Sequence, residues 1–132
     1  MSLSDEERMT IVGLEIDKAR RMYNQALMMQ QVEQWDAMAN RLYYALFHAV
    51  CALLIRDRHV VNTHKGSHAL FAQYYIKNGK LPKQYGELYQ KMERMREESD
   101  YNCAYDEEPD VLQANIATAK MMIDKLAEMV EK

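Results

Sequence analysis

The sequence contains few of the residues that break helices or build tight turns. Its 132 residues include only four Gly and two Pro, which is too few for an all-β fold with a turn between every pair of strands. Hydrophobic residues make up 48% of the chain, so the composition is not that of a disordered protein either. A chain of this length can bury one continuous core. We therefore expect a single all-α domain over residues 1–132.

Cysteines and long apolar runs are also scarce. The two cysteines, Cys51 and Cys103, have no Cys-x-x-Cys spacing, which disfavours a disulfide framework and favours a reducing cytoplasm. The longest apolar run, residues 42–55, has 14 residues and is too short to span a bilayer. The first residues lack the positive start and apolar segment of a signal peptide. We expect a cytoplasmic protein that does not enter the membrane.

Neither sign of charge dominates the chain as a whole, since the net charge is -3 at pH 7. The charge is nevertheless unevenly distributed. Residues 56–83 contain six Lys or Arg and one acidic residue, Asp57, so this segment carries +5 and the remainder -8. The basic segment could contact phosphate groups, or it could simply be a solvated surface.

Apolar residues recur at helical spacing in five segments. The first helix is expected over residues 5–30, behind a capping box formed by Ser4 and Glu7. The second begins near Trp35 and is apolar on almost every face, which is typical of a helix at the centre of a bundle.

The remaining helices follow from their start and stop signals. Thr63 is expected to cap the third helix, which ends at Asn78-Gly79. Pro82 lies in the first turn of the fourth helix, and a polar loop covers residues 100–108. Pro109 starts the fifth helix, whose apolar period continues to Val130. Short connections predict an up-and-down bundle of about five helices.

Two polar residues interrupt the apolar second helix. Arg41 and His48 are seven residues apart, so both side chains leave the same face, about 10 Å apart along the axis. They could act together on a nucleotide-sized ligand, or in a two-fold dimer in which each Arg approaches the other protomer's His. An imidazole can take the proton of a ribose 2′-hydroxyl while a guanidinium holds the phosphate. The pair indicates either an RNA-cleaving centre, or a core histidine beside a surface arginine.

Other polar residues allow a functional and a structural interpretation. His64 and His68 are four residues apart, as in some metal sites, but no nearby Cys or carboxylate completes a ligand set, so a cap or surface role is expected. Lys65 could hold a phosphate at a helix start, and Arg96 could pair with Asp100. The sequence lacks a Glu-x-x-His pair, a glycine-rich phosphate loop and a nucleophile arrangement. We expect neither a metal nor a cofactor.

The run Asn-Arg-Leu-Tyr-Tyr-Ala-Leu-Phe-His-Ala at residues 40–49 resembles the signature of the HEPN superfamily, in particular its small stand-alone prokaryotic branch. Residues 63–66, residues 79–82, and Arg96 followed by Asp100 and Tyr101 resemble that branch in the same order. In this superfamily an Arg and a His with four to six residues between them mark metal-independent endoribonucleases, which are often toxins neutralised by a minimal nucleotidyltransferase. Six residues intervene here.

The resemblance implies a HEPN-like bundle and a homodimeric endoribonuclease with Arg41 and His48 as catalytic residues. It implies an RNA or nucleotide ligand and a nucleotidyltransferase antitoxin as partner. The expected substrate-binding residues are Asn40, Tyr44, Lys65, Arg96, Asp100 and Tyr101. Active members often have a polar residue directly after the Arg, where this chain has Leu42, so a non-catalytic module that binds a nucleotide, RNA or a nucleotidyltransferase is the alternative. A purely structural bundle is the third interpretation.

Overall fold

The computed structural model describes residues 3–131 and shows only helices, turns and loops over that range. The expected all-α bundle is therefore confirmed. The elements in chain order are α1 (Asp5–Gln31), α2 (Trp35–Arg56), α3 (His64–Phe71) with a π-helical turn (Ala72–Ile76), α4 (Lys83–Tyr101), α5 (Pro109–Ala114) and α6 (Ile116–Val130).

The helix ends that carry local sequence signals lie where these signals predict them. The Ser4 amide donates to Glu7 Oε1 at 2.9 Å, and the Glu7 amide donates to Ser4 Oγ at 3.1 Å, which completes the capping box. Thr63 Oγ1 accepts a hydrogen bond from the Gly66 amide at 2.8 Å at the start of α3. Gly79 has a φ of 79°, the left-handed conformation that terminates a helix without a steric penalty.

Helix α2 forms the centre of the bundle, since it contacts each of the other five helices. Helix α1 runs antiparallel to it, because Arg8 Nη1 donates to the Ile55 carbonyl at one end and Gln25 contacts Arg41 towards the other. By length and composition alone α2 could span a membrane, although residues 42–55 were expected to be too few. In the most apolar 18-residue stretch of α2, however, 67% is buried inside the protein. Its apolar faces therefore build the core of the bundle.

Three helix boundaries differ from the sequence-based expectation. Pro82 caps α4 instead of lying within its first turn. Asp100 and Tyr101, expected in a loop, belong to the last turn of α4. The expected fifth helix is interrupted at Asn115, whose Nδ2 donates to the Val111 carbonyl at 2.7 Å. A side chain that bonds the backbone in this way competes with the helical ladder, and so divides the segment into α5 and α6.

Candidate functional site

The side chains of Arg41 and His48 lie on the edge of α2 that faces α1. His48 Nδ1 is 2.7 Å from Glu15 Oε2, and Arg41 Nε donates to Gln25 Oε1, also at 2.7 Å. Asn40 Oδ1 accepts a further hydrogen bond from Arg41 Nη1 at 2.5 Å. Both side chains are half-buried. The structure therefore places a guanidinium and an imidazole along one seam between two helices, each held by a different residue of α1.

Glu15 is a site residue that the sequence analysis did not identify. It lies three residues after Val12 and four residues before Ala19, both of which are buried in the core. Residues at these spacings share one helix face, so the Glu15 carboxylate points towards α2 instead of solvent. A carboxylate inside the apolar stripe of α1 is the sequence signal that could have revealed it.

The contact with Glu15 fixes the orientation of the His48 ring. An ionised carboxylate can only accept hydrogen bonds, so Nδ1 carries a proton and Nε2 is the nitrogen left for a ligand. The Glu15 side chain is 26% exposed and that of His48 15%, which keeps the pair partly shielded from water. Partial shielding strengthens a charged hydrogen bond. His48 is thus positioned for proton transfer at Nε2.

An aromatic surface continues from His48 towards the start of α3. It consists of the rings of Tyr44 and Phe47 from α2, with the imidazoles of His48 and His64 at its two sides. The Phe47 ring centroid lies 5.2 Å from that of His48 and 4.4 Å from that of His64. The Tyr44 centroid lies 6.3 Å and 5.7 Å from the same two rings. Tyr44 therefore borders the line of Arg41 and His48.

The two α3 histidines, expected in a cap or surface role, are half-buried and contact other side chains. His64 Nδ1 is 2.9 Å from the Tyr43 hydroxyl, and its pKa is lowered by burial and by the nearby positive charges of Arg96 and His48. His68 stacks on Tyr89 at a centroid distance of 3.7 Å, and burial lowers its pKa to about 4. Aromatic side chains of α2 and α4 surround both imidazoles, which are half-buried.

His68 also contacts the carboxylate of Glu93, which the sequence analysis did not anticipate. A metal ion would need further ligands of this kind. Among residues 3–131, no group of three or more His, Cys, Asp or Glu side chains is arranged to hold a metal.

Arg96 lies beneath the aromatic surface and is only 6% exposed. Its guanidinium carbon is 5.0 Å from the ring centroid of Tyr43 and 5.9 Å from that of Tyr44. Arg96 Nη1 is 3.4 Å from Asp100 Oδ2, as the ion-pair interpretation predicts. Within the part of the chain that the structure describes, Arg96 Nε has no hydrogen-bond partner. The residue thus brings a positive charge, paired with Asp100 and with Glu97 at 3.8 Å, close to Tyr44.

Two other expected substrate-binding residues stand apart from this cluster. Lys65 is exposed at the start of α3, and Tyr101 is 81% exposed at the end of α4. The structure therefore brings Asn40 next to Arg41 and Tyr44 next to His48. Arg96 contacts the Tyr44 ring and carries Asp100 with it, whereas Lys65 and Tyr101 are exposed.

Comparisons with known proteins find relatives along most of the chain. A family model of the HEPN domain matches residues 14–130. A protein from Thermotoga maritima named "UPF0332 protein" is 30% identical over 114 residues, which cover 86% of each chain. A protein from Methanocaldococcus jannaschii named "Putative toxin MJ0605" is 29% identical over 97 residues, which cover 74% of this chain and 71% of that protein. Since the family match extends over nearly the whole helical bundle, this chain belongs to the HEPN domain family.

Proposed function

We propose that this protein is an endoribonuclease that cleaves RNA without a metal ion, with Arg41 and His48 as its catalytic residues. One observation carries the proposal. The His48 imidazole is held through Nδ1 by Glu15 at 2.7 Å, on the same edge of α2 as a guanidinium whose Nε is held by Gln25. Fixed groups of these two types are what proton transfer at a phosphodiester requires.

The reaction that this pair supports is an internal transfer of the phosphoryl group. The ribose 2′-oxygen attacks the adjacent phosphorus, the bond from phosphorus to the 5′-oxygen breaks, and a proton moves from the 2′-hydroxyl to the leaving oxygen through imidazole. Arg41 binds the phosphate and compensates the negative charge that grows on its oxygens. The products are a 2′,3′-cyclic phosphate and a 5′-hydroxyl.

We further propose that the active form is a two-fold homodimer. Arg41 and His48 are separated by about 10 Å along α2, and their observed hydrogen bonds are to Gln25, Asn40 and Glu15. A two-fold axis near this seam would bring each guanidinium to the imidazole of the other protomer and create two equivalent sites.

The biological setting that fits this chemistry is that of a toxin. One relative carries the word toxin in its name, and uncontrolled RNA cleavage would arrest growth. A small nucleotidyltransferase is the partner that the family resemblance suggests as antitoxin. Arg41 is half-buried at the α1 and α2 seam, so a partner that covers this seam would block the site.

The proposal is tested with purified protein and a mixture of labelled RNA oligonucleotides in EDTA. We expect cleavage with cyclic-phosphate ends in wild type. His48→Ala and Arg41→Ala should each lower the rate by about 10²–10⁴-fold. His59→Ala and Arg21→Ala are matched controls, because His59 stacks on Tyr74 away from the site and Arg21 is exposed on α1.

A non-catalytic module would behave differently in the same assay. RNA would be bound and remain intact even at high protein concentration. Arg41→Glu would abolish binding, whereas His48→Ala would leave both binding and the harmlessness of expression unchanged. That combination of results would overturn the endoribonuclease proposal and favour a role in recognition.

A further inference from the structure

His48 is not the only imidazole on the aromatic surface of Tyr44 and Phe47. His64, from the first turn of α3, borders the same Phe47 ring at a centroid distance of 4.4 Å, compared with 5.2 Å for His48. Two imidazoles from different helices thus flank one ring on which a nucleobase or ribose could rest. Cleavage of a phosphodiester needs one proton acceptor and one proton donor, so two imidazoles at one surface match this requirement.

One ring nitrogen of His64 is held by a hydrogen bond, and the other is left for a substrate. Ser67 Oγ donates to the His64 carbonyl at 2.8 Å, so the Ser67 hydroxyl must accept from the Tyr89 hydroxyl, 2.7 Å away. His64 Nδ1 lies 2.9 Å from the Tyr43 hydroxyl, and a base at Nε2 requires the tautomer in which Nδ1 donates its proton to that hydroxyl. His64 Nε2 is then left with a free electron pair.

The charges around the two imidazoles differ in sign. His48 has the Glu15 carboxylate 2.7 Å from Nδ1, which compensates a positive charge on the ring. His64 has a neutral phenol on Nδ1, and burial together with Arg96 and His48 lowers its pKa, against a smaller opposing effect of Glu97. The His64 charge in turn helps to lower the pKa of His68. The two imidazoles thus have different neighbours, a carboxylate at His48 and a phenol with a nearby guanidinium at His64, and this difference distinguishes the acid from the base.

We propose that His64 is a second catalytic residue, the general base that removes the 2′-hydroxyl proton, and that His48 is the general acid. This inference rests on the proposed ribonuclease function. The 2′-oxygen forms a bond to phosphorus as its proton passes to His64 Nε2. The bond between phosphorus and the 5′-oxygen breaks as His48 Nε2 gives its proton to that oxygen. Transfer of one proton from His64 to His48 through water restores the starting state.

The test compares two RNA oligonucleotides that differ at the bond which the wild type cuts. One has the natural 5′-oxygen at that bond, and the other has a bridging 5′-sulfur, which leaves as a thiolate without needing a proton. The cleavage rate of His48→Ala on the oxygen substrate should be about 10²–10⁴-fold below that of the wild type. On the sulfur substrate its rate should be close to that of the wild type. The rate of His64→Ala should be lowered by a similar factor on both substrates, because the 2′-hydroxyl still needs a base.

His64→Gln and His48→Gln provide a second pair of variants, since glutamine is polar and close to histidine in size. Equal thermal midpoints in wild type and variants would show that the fold is intact. His59→Ala should cut both substrates at the wild-type rate, because His59 stacks on Tyr74 outside the aromatic surface.

The outcomes separate this inference from the function on which it rests. Wild-type protein that cuts neither substrate would overturn both. Wild-type cleavage with an unimpaired His64→Ala or His64→Gln variant would overturn the role of His64 alone. Recovery of the His64 variants, and not of the His48 variants, on the sulfur substrate would show that the two roles are reversed.

Discussion

His48 Nδ1 lies 2.7 Å from Glu15 Oε2, and this hydrogen bond joins the middle of α2 to the first half of α1. The carboxylate positions the ring and compensates its positive charge. Glu15→Gln should therefore lower kcat for RNA cleavage by about tenfold or more with little change in KM, because it disturbs proton transfer and not substrate binding. Steady-state kinetics on a short RNA measure both parameters.

Asp17→Asn is the control for this variant, since Asp17 is an exposed acidic residue on the same helix. It loses the same charge without touching His48. If both variants keep the wild-type kcat, Glu15 has only a structural role.

The sequence predicts the parts of this fold that depend on neighbouring residues. The capping box of Ser4 and Glu7 and the left-handed Gly79 are signals within one helical turn, and both are found in the structure. The interruption at Asn115 was missed because the apolar period of Leu112 and Ile116 continues through it in phase. There the side-chain hydrogen bond of Asn115 to the backbone outweighs the periodicity.

The candidate site shows the same division between local and long-range information. Arg41 and His48 were found from their spacing in one helix. Glu15 is 33 positions from His48, and Tyr43 is 21 positions from His64, so both contacts depend on how α1 and α3 pack against α2. Helical periodicity gives the face that a helix buries but not its register against a neighbour.

Arg96 should contribute to stability through its contacts with Tyr43 and Tyr44. Its guanidinium lies over both rings and is only 6% exposed. Arg96→Lys keeps the charge but loses the planar group, so we expect the free energy of unfolding to fall by about 1–2 kcal/mol. Urea denaturation measures this change. Arg94→Lys, at an exposed position of the same helix, should change it by less than about 0.5 kcal/mol, and equal effects would contradict the stacking role.

Acid should destabilise the protein through His68. Burial lowers its pKa from the ordinary 6.5 to about 4, so between these values the unfolded chain binds a proton that the folded chain does not. As pH falls from 6.5 to 4, the free energy of unfolding should decrease by about 2–3 kcal/mol from this residue. His68 stacks on Tyr89 and contacts Glu93. The nearby charge of His64 lowers the pKa of His68 further.

His68→Phe retains an aromatic ring for the stack on Tyr89 but cannot bind a proton. Urea midpoints of wild type and variant, measured at several pH values, should therefore diverge across this range, with the wild type losing more stability. Acidic residues that do not contact His68 titrate alike in both proteins, so their contribution cancels in the difference, and a His68→Phe, Glu93→Gln double variant compared with Glu93→Gln removes the contribution of Glu93. Parallel curves would mean that His68 is not held neutral by the fold.

Complementation between two inactive variants distinguishes a site shared across a dimer from one within a single protomer. If Arg41 acts on the imidazole of the other protomer, an Arg41→Ala and His48→Ala heterodimer contains one intact site and one that lacks both groups. Random mixing makes half of the dimers heterodimers, so the mixture should regain about a quarter of the wild-type activity. If each protomer uses its own Arg41 and His48, every site in the mixture lacks one group and no activity returns.

Mixing has to be done under conditions where subunits exchange, for example by refolding the two proteins together. A sample of each variant refolded alone is the control and should stay inactive. Sedimentation of the wild type provides the independent readout, since shared sites require a dimer at the concentration of the assay. A monomer with full activity would place Arg41 and His48 in one protomer, acting on opposite ends of the same bound nucleotide.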